Sequence, residues 1–177
     1  MKSFRVRFAA ILILLVAAAA IVALAQRQRA SPHETVELTL NGKKISIVYG
    51  RPYAKGRQVM GGLVPYGQVW RTGADEATKL TTEVDLMLGD LHVPKGTYSL
   101  FTLPAADGWK LIVNKKADQW GAFSYNQAED LGRAAMTVKA LTAPVEQFTI
   151  SLAGSGGKGT LKMEWEKASA TIAIMAH

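Results

Sequence analysis

The sequence contains no cysteine. That removes disulfides, thiolate metal sites, a cysteine nucleophile and a lipid-modified N-terminal cysteine. Histidine is scarce too. His33, His92 and His177 lie far apart, with no H-E-x-x-H or similar spacing, so no metal site is expected from them. A G-x-S-x-G nucleophile elbow is missing. So are a basic helix and an aromatic RNP pattern, which argues against a nucleic-acid partner. No cofactor is expected. Finally, no acid interrupts the apolar run near the N-terminus, and that run is the first positive signal.

Lys2, Arg5 and Arg7 precede Phe8–Leu24, which is unbroken Leu, Ile, Val, Ala and Phe; Ala23-Leu24-Ala25 then offers an A-x-A cleavage site before Gln26-Arg27-Gln28-Arg29. This order is that of a secretory signal peptide over residues 1–25. The run falls just short of the roughly 20 residues that span a bilayer, so an uncleaved anchor is the rival reading. Either way the rest of the chain is expected outside the cytoplasm, periplasmic or secreted, with the basic end left inside. ATP- or NAD-dependent chemistry would lack its cofactor pool there. Membrane contact is expected only through residues 8–25, if they are retained. The formal charge of +7 falls to +4 once the three basic residues ahead of the run are set aside.

After a tail over 26–33, residues 34–177 read in period two. Val36, Leu38 and Leu40 share a face, Asn41-Gly42 gives a hairpin turn, and Ile45, Ile47 and Tyr49 return on one face. Tyr98–Leu103 is apolar on both faces, the pattern of a central strand. Phe148, Ile150 and Leu152 alternate with polar residues, as do Leu161, Met163 and Trp165. About nine or ten short strands separated by Gly, Pro and Asp turns indicate an all-β antiparallel β-sandwich, jelly-roll-like or Ig-like. Only Asn126–Ala135 suits a short helix, and Gly132 weakens it. Gly154–Thr160 imitates a phosphate loop, but it joins strand to strand and reads as a flexible hairpin loop.

Gly50–Asp75 does not alternate. It carries glycines, Arg51, Lys55, Arg57 and Arg71, with Tyr53, Tyr66 and Trp70. Unstructured connections this long are usually functional or disordered. Val59, Met60, Leu63 and Val64 favour packing, so an ordered loop over one end of the sandwich is expected.

The blocks Tyr49-Gly50-Arg51-Pro52, Gly62-Leu63-Val64-Pro65-Tyr66-Gly67, Trp70-Arg71-Thr72-Gly73-Ala74, Glu76-Ala77-Thr78, Gly96-Thr97-Tyr98-Ser99-Leu100-Phe101 and Gln119-Trp120-Gly121 carry a family likeness. They resemble a bacterial secreted family, domain of unknown function 2911. The resemblance covers nearly the whole chain after the leader. It implies an exported β-rich domain and no particular activity. Asp75 stands where the family pattern usually has Asn, and an ionised carboxylate only accepts where an amide also donates.

The candidate ligand-binding residues are Arg51, Trp70, Arg71, Asp75, Thr78, Asn114, Trp120 and Tyr125. Indole and phenol faces stack on sugars, and guanidinium groups clamp carboxylate or phosphate. The plainer reading makes Trp70 a core plug and pairs Arg71 with Asp75 or Glu76. Gln119–Tyr125 either binds or closes the domain as an apolar lid; Trp109 and Trp165 alternate with core residues. Asp75 and Glu76 are weak catalytic candidates for a carboxylate pair. Three functions stay open. The first is non-catalytic binding of an anionic or sugar-bearing envelope ligand. The second is a carboxylate-dependent hydrolase of envelope polysaccharide or peptidoglycan. The third is an assembly factor that holds a partner protein.

Overall fold

Asn41 and Gly42 both take positive φ, 50° and 73°, in the computed structural model, which describes residues 30–177. That is the geometry a two-residue hairpin needs. It fixes the register of β1 (His33–Leu40) on β2 (Lys43–Gly50) from Leu40↔Lys43 out to His33↔Gly50. The alternation is observed: Leu40, Ile45, Ile47 and Tyr49 are buried, with Val36 and Leu38 packed against the same core.

The other strands are β3 (Thr78–Thr82), β4 (Leu86–Leu88), β5 (Leu91–Val93), β6 (Gly96–Ala105), β7 (Gly108–Asn114), β8 (Asp130–Ser155) and β9 (Lys158–Ala176). The described chain is all-β. All nine strands join one antiparallel sheet in the order β1-β2-β3-β6-β7-β8-β9-β4-β5. β8 pairs with β7 over Asp130–Met136 and with β9 beyond it. Its pairing with β9 slips between Ala140 and Thr149, where the two long strands bend. The bend brings strands that are far apart in sheet order into contact. Tyr49 Oη of β2 meets the backbone of Ile150, accepting from its N–H at 2.9 Å, and its ring meets Phe148 edge-on.

β6 is central, between β3 and β7, and is buried on both faces. One face joins the main core; on the other, Phe101 and Ile112 pack with Ala77 under Ala122 and Tyr125. Residues 31–177 form one compact unit. The leader expected over residues 1–25 and residues 26–29 of the tail lie outside the described residues. Among the described residues no helix is long and apolar enough to cross a membrane.

One expectation needs correction. Asn126–Ala135 is not a helix. Asn126 caps a single 3-10 turn, Gln127–Glu129, and Asp130 then enters β8 because the edge of β7 offers it a ladder. The Gly154–Thr160 stretch is the tip of the β8–β9 hairpin, yet its backbone is engaged: Asn41 donates to Gly156 O and Ala176 to Gly157 O.

The Gly50–Asp75 segment is ordered and half in the core. Ala54, Val59, Val64 and Trp70 are buried. Ala54 N donates to Glu146 O, Lys55 N to Glu146 Oε1 and Val59 N to Glu166 Oε2, so the segment covers the bend where β8 and β9 lose register. Trp70 and Thr102 exchange backbone hydrogen bonds.

Candidate functional site

Several expected site residues serve the fold. Trp70 is in the core: it stacks on Trp165 at 5.7 Å, meets Phe148 edge-on, and donates its Nε1–H to Gly73 O. Only 9% exposed and covered by those rings, it is not available to stack on a ligand. Arg51 is consumed as a clamp. It pairs with Glu34 at 2.7 Å and donates to Phe148 O and Thr149 Oγ1. Thr78 is fully buried and gives its hydroxyl to Thr72 O.

Asn114 is also fully buried, with both ends of its amide in use. Its Nδ2 donates to Asn126 O and Asp130 Oδ1, while Oδ1 accepts from Lys116 N and Gln119 Nε2. The Tyr125 hydroxyl donates to Asp130 Oδ2 at 2.7 Å and accepts from Arg133. Burial, and then the hydrogen bond to Asp130, push this phenol up to about 12. Arg133 itself lies above its ordinary value. Burial pulls it down, but the bonds to Asp130 and Tyr125 outweigh that. Tyr125, with Ala122, is therefore part of the lid over Phe101 and Ile112. Arg71 departs from the plainer of its two readings. It makes no ion pair with Asp75 or Glu76, and its Nε is buried without an acceptor.

Three of the expected residues do come together at the surface, with two that were not expected. Gly50 and Gly73 allow the approach. A Cβ on Gly50 would lie 2.3 Å from Ala74 O, and one on Gly73 2.8 Å from Gly50 O. The segment Arg71–Glu76 therefore rests directly on the end of β2. Because Gly50 pairs with His33, the imidazole stands beside Asp75 and Glu76: Nε2 is 3.3 Å from Asp75 Oδ2 and 3.4 Å from Glu76 Oε2. On the other side, Glu76 bridges to Trp120, Ala77 N donates to Gln119 O, and Gly121 N donates to Asp75 O.

That extended pairing turns Gln119 inward and Trp120 outward, as alternation along a strand requires. Gln119 is 6% exposed and Trp120 60%. A hollow of about 220 Å³ beside the indole is lined by Glu76, Ala77, Lys79, Ala117, Asp118, Gln119 and Trp120, with Lys79 paired to Asp118. A second, polar hollow of about 530 Å³ lies among Asn114, Lys115, Lys116, Gln119, Ser124, Asn126 and Glu129. The Gln119 amide is held between Asn114 Oδ1 and Lys116 O, both acceptors. Its NH₂ must face them, which leaves Oε1 buried with no donor. Ser124 and the exposed Phe123 ring continue this loop outward.

His33 and Gln119 were the residues missed. Counting outward from Asn41-Gly42 does pair His33 with Gly50. The further step, Gly50 against Gly73-Ala74, is a backbone contact that no alternation announces. Gln119 was legible only as the inward neighbour of an outward Trp.

A search of curated proteins and a search of solved structures gave no match. A family model covers residues 31–174, which is nearly all of the folded part. The blocks quoted from the sequence fall within that span, and the chain belongs to the family described as protein of unknown function (DUF2911).

Proposed function

We propose that the protein is exported through its N-terminal segment and that its folded part binds a sugar-bearing envelope ligand, without transforming it, at the surface around Trp120. We also read the curled sheet as a sandwich, its two layers being the β1-β2-β3-β6-β7 and β9-β4-β5 ends joined through β8. One observation carries the binding reading. An indole stands 60% exposed on a segment whose backbone is paired to Glu76 and Ala77, with a hollow of about 220 Å³ beside it.

An unpaired aromatic face so firmly held has no role in the core. It supplies a stacking surface at little entropic cost. Glu76, Lys79 and Asp118 surround it with acceptors and donors suited to hydroxyl groups. The hollow is smaller than the ~300 Å³ typical of the least drug-sized pockets, so it suits one ring or a chain end. The anionic part of the reading rests on Arg71, whose Nε lacks an acceptor, and on Lys115 and Lys116 in the polar hollow, where the unfilled Gln119 Oε1 would take a hydroxyl donor.

The test uses the indoles themselves. Trp70, Trp109 and Trp165 are buried, so iodide should quench Trp120 almost alone. Soluble peptidoglycan fragments and acidic polysaccharides should protect that fluorescence. Trp120→Ala should weaken retention by about tenfold or more, a loss of ~1.4 kcal/mol, with an unchanged melting temperature. No protection across the panel would remove the reading. Release of reducing ends during the titration would favour the hydrolase, for which Asp75 and Glu76 hold carboxylate oxygens within 4.8 Å.

A further inference from the structure

We infer that His33, Asp75 and Glu76 form a binding site for a divalent first-row transition ion of the zinc class. The three groups come from chain segments 42 residues apart and meet through the β1–β2 register and the Gly50–Gly73 contact. One ligand atom from each lies within 4.8 Å of the others.

The arrangement, two carboxylates on one ring nitrogen, separates two uses of this cluster. Charge-assisted N–H···O⁻ bonds are about 2.7–2.9 Å long. Elsewhere in the molecule a guanidinium and an ammonium pair have those values, Arg51–Glu34 at 2.7 Å and Lys162–Glu164 at 2.9 Å, while the other paired imidazole, His92, stands 3.6 Å from its single carboxylate, Asp85. The His33 contacts are 3.3 and 3.4 Å, and here two of them converge on one nitrogen. That spacing matches the edge of a tetrahedron of ligands about 2.0–2.2 Å from a metal, which is about 3.3–3.6 Å. Chemistry points the same way. A single ring nitrogen holds at most one proton and faces two carboxylates, so as a donor it serves both poorly. As a lone-pair donor it is one corner of a three-ligand face. The remaining edge, between the two carboxylate oxygens, is at most 4.8 Å and closes when a cation lies between like charges.

The donor set selects the ion. Imidazole nitrogen suits zinc, copper or nickel far better than calcium or magnesium, which prefer all-oxygen cages. Three protein ligands leave a fourth position for water or a ligand oxygen. The groups are partly exposed, with His33 and Asp75 side chains 25% and 31% accessible, so an ion can enter from solution. Glu76 also bridges to Trp120 and lines the hollow beside it, so the ion would lie next to the proposed saccharide surface. The metal inference does not depend on that reading, since it is tested without saccharide.

The experiment titrates zinc, and separately cobalt, into the full chain, made without a polyhistidine tag and stripped with chelator. Calorimetry should give one equivalent, and cobalt should give a visible absorption of low-symmetry coordination. His33→Ala and Glu76→Gln should each weaken binding by about tenfold or more. His92→Ala should leave it unchanged, because His92 pairs with Asp85 elsewhere. Should a variant fail to fold, the wild type still decides: cobalt should shift the His33 imidazole resonances and spare those of His92 and His177. Binding that ignores His33→Ala, a shift centred on another histidine, or no stoichiometric uptake would overturn the inference.

Discussion

The indoles show how much one residue's direction decides. Trp70 and Trp165 stack in the core beside Phe148, Trp109 is buried in β7, and Trp120 points out because Gln119 before it points in. Alternation in the sequence places Trp109 and Trp165 correctly. It is silent on Trp70 and Trp120, which sit in segments without sustained period, and there tertiary pairing chooses the face. The tyrosines divide in the same way. Tyr49 and Tyr125 are both pushed up to about 12 from 10.0, chiefly by burial. Tyr49 is eased down by its bond to Ile150 and by Arg51; Tyr125 is raised further by Asp130. Each phenol is neutral in the folded state and resists ionisation there. The stability it confers is therefore complete below the unfolded value near 10 and is lost as pH climbs from about 10 to 12. Absorbance at alkaline pH should show three of the five tyrosines ionising late, since burial raises Tyr98 as well. Tyr125→Phe should remove one of them and flatten the fall in urea midpoint over that range; an unaltered profile would contradict the assignment.

At the level of elements, the hairpin turns and the two-faced β6 were readable because short-range chemistry fixes them. The lengths of β8 and β9 were not. Their alternation breaks at Ala140–Thr149, which in sequence looks like a gap between strands and in space is a bend in two continuous ones. The Gly50–Asp75 segment fills that bend, and its glycines matter for the backbone contacts they allow. Gly50 is the clearest case. Its missing side chain would face Ala74 O, a backbone atom that cannot swing away as a long side chain can. Gly50→Ala should lower stability by ~1–3 kcal/mol in urea denaturation, the usual scale of an overpacked site. It should also push Arg71–Glu76 off β2, so the His33 resonances should move toward those of an isolated imidazole. A variant with wild-type stability and unmoved His33 signals would mean that the segment is positioned by something other than this contact.

For the whole molecule, the decisive feature is that β8 belongs to both ends of the sheet. It pairs with β7 through Asp130–Met136 and with β9 thereafter, while Phe148 and Ile150 also reach β2 through Tyr49. β9 in turn anchors β4 at Leu86↔Ala176, a pairing between the middle and the end of the chain. Such long-range contacts fold slowly, since loop closure precedes the gain from pairing. They also tie the strands to one another: the main cluster draws on all nine strands together. Unfolding should therefore be a single transition. Tryptophan fluorescence, dominated in the core by Trp70 and Trp165, should follow the same urea curve as the sheet signal in circular dichroism. Phe148→Ala removes the ring at the junction and should cost ~3–5 kcal/mol. It should shift both curves equally, and amide exchange in β2 and β9 should quicken together. If β9 amides opened while β1 to β3 stayed protected, the two ends would be separate folding units, and β8 would be only a tether between them.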